Sequence, residues 1–213
     1  SAVGPRSDGQ IKPNIIAPGS QVSAVPIWNE GLYANLDGTS MAAPQVSGAI
    51  ALLLEKAQQE QLKISPQKLR KALEMSARQI EGIDCVAQGF GVFDLLKTWD
   101  LCCFLDEITN EIITEVENYP NGTSQSVYAR EFVPGKLAYH LQSAQDLILS
   151  FSSDQNWLQV AQQKLFLPSE TQRTVQVDFA LPDAPGLYTG MLIGDDPRTN
   201  YLDLQLLTTI VKP

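Results

Sequence analysis

The stretch Gly38-Thr39-Ser40-Met41-Ala42-Ala43-Pro44 seats a serine hydroxyl on the first turn of a helix. A hydroxyl there lies beside backbone N–H groups that have no intrahelical partner. Together with the positive end of the helix dipole, those groups stabilise the oxyanion that forms when the hydroxyl attacks a carbonyl. Gly38 permits a tight entry to the turn, and Ala42 and Ala43 let the helix pass through a crowded interior. Pro44 is expected in the first turn, where no backbone donor is needed. Val46, Ala49, Ile50, Leu53 and Leu54 follow at helical spacing, with Ala51 and Leu52 on the opposite side. That pattern predicts a helix buried nearly all round, ending near Lys56 to Gln59.

Downstream, Ser65-Pro66 supplies a cap and a first-position proline for a second helix reaching Ala77, with Leu69, Leu73 and Met75 on its apolar side. Glu81 to Ala87 reads as a loop. Gly91 to Trp99 predicts a short extended entry and a final helix that holds Val92, Phe93, Leu95, Leu96 and Trp99 against the core as packing residues, not as a cofactor box. The period changes after about residue 100. Leu147, Leu149 and Phe151 alternate, as do Val175, Val177 and Phe179, and then Leu202, Leu204 and Leu206. Turn signals at Pro134-Gly135, Ser152-Ser153-Asp154 and Asp195-Asp196-Pro197 separate these runs. A series of short strands predicts an all-β sandwich with an immunoglobulin-like or fibronectin-like look and Trp157 as a core anchor. The expected division is therefore 1–101 and 102–213.

The serine stretch resembles the active-serine signature of the subtilisin-like serine peptidases, the subtilases. Gly4-Pro5-Arg6-Ser7-Asp8-Gly9 with Lys12-Pro13-Asn14-Ile15-Ile16-Ala17-Pro18-Gly19 is similar to the segment that precedes it in that family, and Gly89-Phe90-Gly91-Val92-Phe93-Asp94 resembles the end of the catalytic domain. The resemblance implies a partial α/β subtilisin-like domain holding the nucleophile helix, with Ser40 as the catalytic serine. Tyr128-Ala129-Arg130-Glu131, Asn156-Trp157-Leu158 and Gly186-Leu187-Tyr188-Thr189-Gly190 follow in the order seen in the branch whose catalytic domain is succeeded by sandwich modules. For the parent, that likeness implies release of tripeptides from free amino termini and assembly into a large homo-oligomer.

Subtilases place the triad in the order Asp, His, Ser and complete the oxyanion hole with an upstream asparagine amide. The residues before Ser40 contain no histidine. Asp8 and Asp37 stand in motifs where the family does not place its acid. The single histidine, His140, lies in an alternating stretch, where a strand residue with one satisfied nitrogen is expected rather than a base or a metal ligand. A serine hydroxyl without a base is a weak nucleophile. The chain alone is therefore expected to be inactive, the carboxy-terminal part of a larger peptidase whose amino-terminal portion brings Asp and His. Uncovered helix faces and strand edges should then be met by that portion, a domain swap or a second copy. The alternative is a non-catalytic binding or assembly module.

Composition narrows the partners. The chain has 213 residues, 44% hydrophobic and 18% charged, which suits packed globular structure. A net charge of −9 argues against nucleic acid, because phosphate backbones are bound by clustered Lys and Arg. No run approaches the roughly 18 apolar residues of a membrane span. The acidic run Asp106-Glu107, Glu111, Glu115 and Glu117 reads as a solvated face, not a metal site. Cys85, Cys102 and Cys103 give an odd count without ligand spacing, which points to free thiols and a reducing, cytoplasmic setting. Asn121-Gly122-Thr123 reads as a turn rather than a glycosylation acceptor. Peptides are the expected substrates, with no cofactor.

Overall fold

A computed structural model describes residues 2–4, 6, 11–23, 31, 33–105, 112–118, 122–124, 127–129, 136–199 and 202–213. Asp8, Asp106, Glu107, Glu111, Pro120, Asn121, Arg130, Glu131 and the turn signal Pro134-Gly135 lie outside the described residues. The chain divides into two compact units, built mainly from Pro13–Glu107 and from Ile108–Pro213.

The first unit begins with an antiparallel ribbon of β1 (Ser20–Ser23) and β2 (Ala34–Asp37), in which Ser20 faces Asp37. Helices α1 (Thr39–Gln59), α2 (Pro66–Ser76), α3 (Cys85–Gln88) and α4 (Leu95–Phe104) follow. Among the described residues, parallel pairing in this unit is confined to one bridge, Ile16 with Val92. Helix α2 starts as its sequence dictates: Ser65 Oγ accepts from Lys68 N at 3.2 Å and Pro66 takes the first position. Leu69, Ala72 and Leu73 form its buried side. Helix α4 is capped by Asp94, whose carboxylate accepts from Lys97 N at 3.0 Å. A buried hydroxyl pair, Thr98 Oγ1 to Ser76 Oγ at 2.8 Å, joins the end of α2 to the start of α4. Lys56 of α1 lies over the Trp99 ring, 4.8 Å from its centre.

The expected burial of α1 and α4 and the expected loop between α2 and α4 need correction. Helix α1 ends at Gln59 as its pattern predicts, but it buries only Leu53 and Ala57, while Leu52 is 60% exposed. Val46, Ala49 and Ile50 are only half-buried, and Leu54 is exposed as well. Glu81 to Ala87 is not loop throughout, because the chain makes a helical turn at Cys85–Gln88. That turn delivers Gln88, almost fully buried, to the preceding loop: its Oε1 accepts from Ile80 N at 2.7 Å and its Nε2 donates to Ile80 O and Ile83 O. Leu96, expected against the core, is 78% exposed, and Thr98 and Cys102 occupy the buried side of α4 instead. Burial pushes the Cys102 thiol up to about 11. None of the three cysteines forms a disulfide.

The second unit holds ten strands among the described residues. They are β3 (Ile113–Asn118), β4 (Gly122–Ser124), β5 (Val127–Ala129), β6 (Lys136–Gln142), β7 (Leu147–Ser153), β8 (Leu158–Val160), β9 (Lys164–Leu167), β10 (Arg173–Phe179), β11 (Gly186–Asp195) and β12 (Leu204–Lys212). One five-stranded sheet runs β4-β3-β6-β10-β8 and the other β5-β12-β11-β7-β9. Every named pair is antiparallel except β12 with β5. Alternation sends Val116, Tyr139, Leu141, Val175 and Val177 from the first sheet into one core with Leu149, Leu167, Leu192, Leu206 and Ile210 from the second. Tyr139 O–H and Thr208 Oγ1 meet at 2.9 Å within it. Trp157 packs edge-on to Tyr188, with ring centres 6.3 Å apart, and rests on Gly190, where a Cβ would crowd the indole.

Candidate active site

Strand β2 delivers the chain to Gly38, whose φ of 152° and ψ of 167° fall in a region that essentially only glycine occupies. Helix α1 begins at the next residue. Gly38 O accepts from Met41 N at 3.0 Å and from Ala42 N at 3.4 Å, so the glycine carbonyl closes the first turn. Ser40 is the second helical residue and is exposed. Among the described residues neither its hydroxyl nor its N–H has a hydrogen-bond partner, so both are open to a carbonyl group brought to the helix N-terminus.

Pro44 lies deeper than the first turn, at the sixth position of α1, which corrects the expectation for it. The N–H it lacks is the one that would reach the carbonyl of Ser40, four residues back. The helix therefore loses an internal bond at the serine itself.

The serine stretch, residues 12–19 and the closing glycine motif converge on this region, while of residues 4–9 only Gly4 and Arg6 are among the described residues. Gly38 N donates to Gly19 O at 2.7 Å, and a Cβ on Gly19 would stand 3.1 Å from Gly38 O. Gln45 Nε2 donates to Pro18 O at 2.8 Å and Gln21 Nε2 to Met41 O at 3.2 Å. At the other end of the first motif, Phe90 N donates to Asn14 O at 2.8 Å and Ile16 N to Gly91 O at 2.9 Å. Gly91 is clamped in turn by the paired bonds of Arg78 and Val92, at 2.9 and 3.0 Å. Gly89 and Gly91 have φ of 62° and 103°, and a Cβ on either would run into backbone carbonyls, of Pro13 and Asn14 or of Arg78. These glycines let three backbone segments pass at hydrogen-bond distance.

No base or acid is hydrogen-bonded to Ser40 among the described residues. Asp37 is exposed at the end of β2. His140 belongs to the other unit, in β6, where Nδ1 lies 3.1 Å from Thr174 Oγ1 and the residue faces Thr174 and Glu115 across the sheet. Asp8 lies outside the described residues. Sequence reasoning overlooked Gln21 and Gln45. The available signal was Gln45 itself, an amide directly after Pro44 on a helix of small and apolar residues.

Comparison with known proteins agrees with this arrangement of motifs. Residues 1–92 match the model of the subtilase family, Peptidase_S8. Pyrolysin of Pyrococcus furiosus is 30% identical over 235 residues, a match that takes in 100% of this chain and 17% of the relative. Tripeptidyl-peptidase 2 of Arabidopsis thaliana is 35% identical over 136 residues, covering 62% of this chain and 10% of the relative. The crystal structure of tripeptidyl peptidase 2 superposes with a TM-score of 0.71 at 20% identity, over 99% of this chain and 21% of that one, which establishes likeness of fold. The chain thus spans about a fifth or less of the length of each of these proteins. With the serine signature and residues 12–19 joined to the closing glycine motif, and residues 1–92 matched by the family model, this part of the chain belongs to the subtilase family.

Proposed function

We propose that this chain is the nucleophile-bearing part of a subtilisin-like serine peptidase, and that Ser40 forms the acyl-enzyme. The observation that carries this reading is the exposed Ser40 at the N-terminus of α1, with hydroxyl and N–H unpaired among the described residues. In the reaction, Oγ attacks the peptide carbonyl carbon as its proton passes to a histidine base. The Ser40 N–H donates to the resulting oxyanion. Collapse expels the amine with the proton from the base, and water then cleaves the ester. The histidine and its orienting aspartate come from residues outside this chain, so the isolated chain is inactive.

The exposed side of α1 is the surface on which the rest of the peptidase domain would pack. Ile108–Pro213 is then an immunoglobulin-like β-sandwich following the catalytic domain. By analogy with tripeptidyl-peptidase 2, the parent releases tripeptides and assembles as a homo-oligomer. The closed core of the second unit also fits an alternative, in which this chain serves as a binding or assembly module without catalysis.

A fluorophosphonate probe separates the two. Labelling of the longer protein, lost in Ser40→Ala and absent from this chain alone, supports the peptidase reading. A longer protein that carries its Asp and His yet resists the probe refutes it.

A further inference from the structure

We infer that Gln21 and Gln45 are positioning residues that hold Ser40 in place through two side-chain amides reaching in opposite directions. This rests on the reading of Ser40 as nucleophile. Gln45 reaches from the second turn of α1 back to Pro18 O, and Gln21 reaches from β1 forward to Met41 O in the first turn. Between them runs the backbone bond from Gly38 N to Gly19 O, 2.7 Å long. The start of α1 is therefore fastened to the Pro18–Gln21 segment by three bonds, two of them from glutamines.

The need for such fastening lies in Pro44. Because it removes the helix's own bond to the Ser40 carbonyl, the turn that carries the nucleophile is held less firmly from within. A reacting hydroxyl and an oxyanion donor must keep their places to within about 0.5 Å to act on one carbonyl. Both acceptors are backbone carbonyls, so the glutamines contribute only as donors. The same side chain without its N–H would present an oxygen or nothing to Pro18 O and Met41 O.

The test uses the longer protein with a chromogenic peptide substrate. Gln45→Glu keeps the shape but only accepts when ionised, and Gln45→Met keeps the approximate length with no polar group. Each is expected to lower kcat about tenfold with KM changed less than about twofold, while the thermal midpoint is nearly unmoved. Gln45→His, which retains a ring N–H, restores most of kcat. Gln21→Met lowers kcat by about threefold, and the double Met variant falls short of the product of the two losses because both act on one turn. Wild-type kcat in whichever of Gln45→Glu and Gln45→Met folds, with Ser40→Ala inactive, overturns the positioning role alone. Turnover surviving in Ser40→Ala overturns the nucleophile reading and this inference with it.

Discussion

In the Ile108–Pro213 unit the inward side chains of two sheets meet one another, Val116 and Tyr139 from one side and Leu192 and Ile210 from the other. In the Pro13–Glu107 unit the longest helix buries only Leu53 and Ala57, a small apolar set including Leu69, Ala72, Leu73 and Val86 is buried elsewhere, and backbone is held close to backbone at Gly19, Gly38, Gly89 and Gly91. One unit is stabilised by removing apolar surface from water, which falls off gradually as side chains shrink. The other adds to its smaller apolar burial a dependence on close approach, which a single Cβ can block. Catalytic geometry is better served by the second means, since hydrogen bonds fix direction as well as distance. That difference predicts how each unit fails.

Gly91→Ala is the most damaging single change expected. The new Cβ would meet the Arg78 carbonyl, at a φ of 103° that alanine rarely adopts. Strain and overpacking together should cost about 3–5 kcal/mol. Hydrogen exchange in the variant should show lost protection at Ile16, Arg78 and Val92, the residues whose bonds hold this crossing. Retained protection there would mean that the backbone can yield, and that the first unit is not held in the way described.

Leu149→Ala probes the other mode. The side chain is fully buried in the core of the second unit, and truncation should cost about 2–5 kcal/mol by lost burial and an incompletely collapsed cavity. Urea denaturation reads this as a lower midpoint with little change in slope. Tyr139 gives the same core a polar component: burial keeps its phenol protonated and its O–H partnered with Thr208.

Between these extremes lies the β11–β12 connection, where a buried carboxylate organises the turn. Asp196 accepts from Ile148 N at 2.6 Å, from Arg198 N at 2.9 Å and from the Arg198 guanidinium, while its own N–H donates to Asp203 at 2.8 Å. The Arg198 hydrogen bonds hold the Asp196 carboxyl well below the usual carboxylate range, whereas burial raises that of Asp203. A depressed carboxyl stabilises the fold fully above its unfolded value and loses that contribution as the pH falls through the folded one. Asp203 acts in the opposite sense, its charged form being the disfavoured one. Asp196→Asn should therefore cost about 1–3 kcal/mol at pH 7, with the gap from wild type narrowing in urea melts below about pH 4. A gap independent of pH would show that shape, not charge, matters at this turn.

A smaller effect is expected at Ser65→Ala, which deprives Lys68 N of its acceptor at the start of α2 and should cost about 1 kcal/mol in a urea melt followed by helical circular dichroism. This cap was legible in the sequence because its cause is local. The same holds for the start of α1, the end of α1 at Gln59 and the runs that became β7, β10 and β12. What was not legible depends on partners distant in the chain. Nothing near Gln88 announces that its amide will serve the backbone of Ile80 and Ile83, and the depth of Pro44 follows from where β2 lets the helix begin. The apolar spacing of α1 promised burial on all sides, but periodicity reports only what a helix can bury, not what stands against it. For the candidate site, the helix start that exposes Ser40 was legible from its neighbours, whereas Gln45 offered only its place after Pro44 as a signal and Gln21 becomes informative only once Met41 is in reach.

The smallest effect tests what helical periodicity can report about burial. Leu96 is 78% exposed on α4 although the sequence assigns it to the core, so Leu96→Lys should leave stability within about 0.5 kcal/mol of wild type. Lysine has a helix propensity close to that of leucine, which removes the main local reason for any change. If the urea midpoint instead falls by an amount worth more than about 1 kcal/mol, the leucine is covered in solution, and the openness of the first unit would be overstated on α4. Repeating the measurement over a tenfold range of protein concentration then separates cover by a second copy, which varies with concentration, from cover within the chain, which does not.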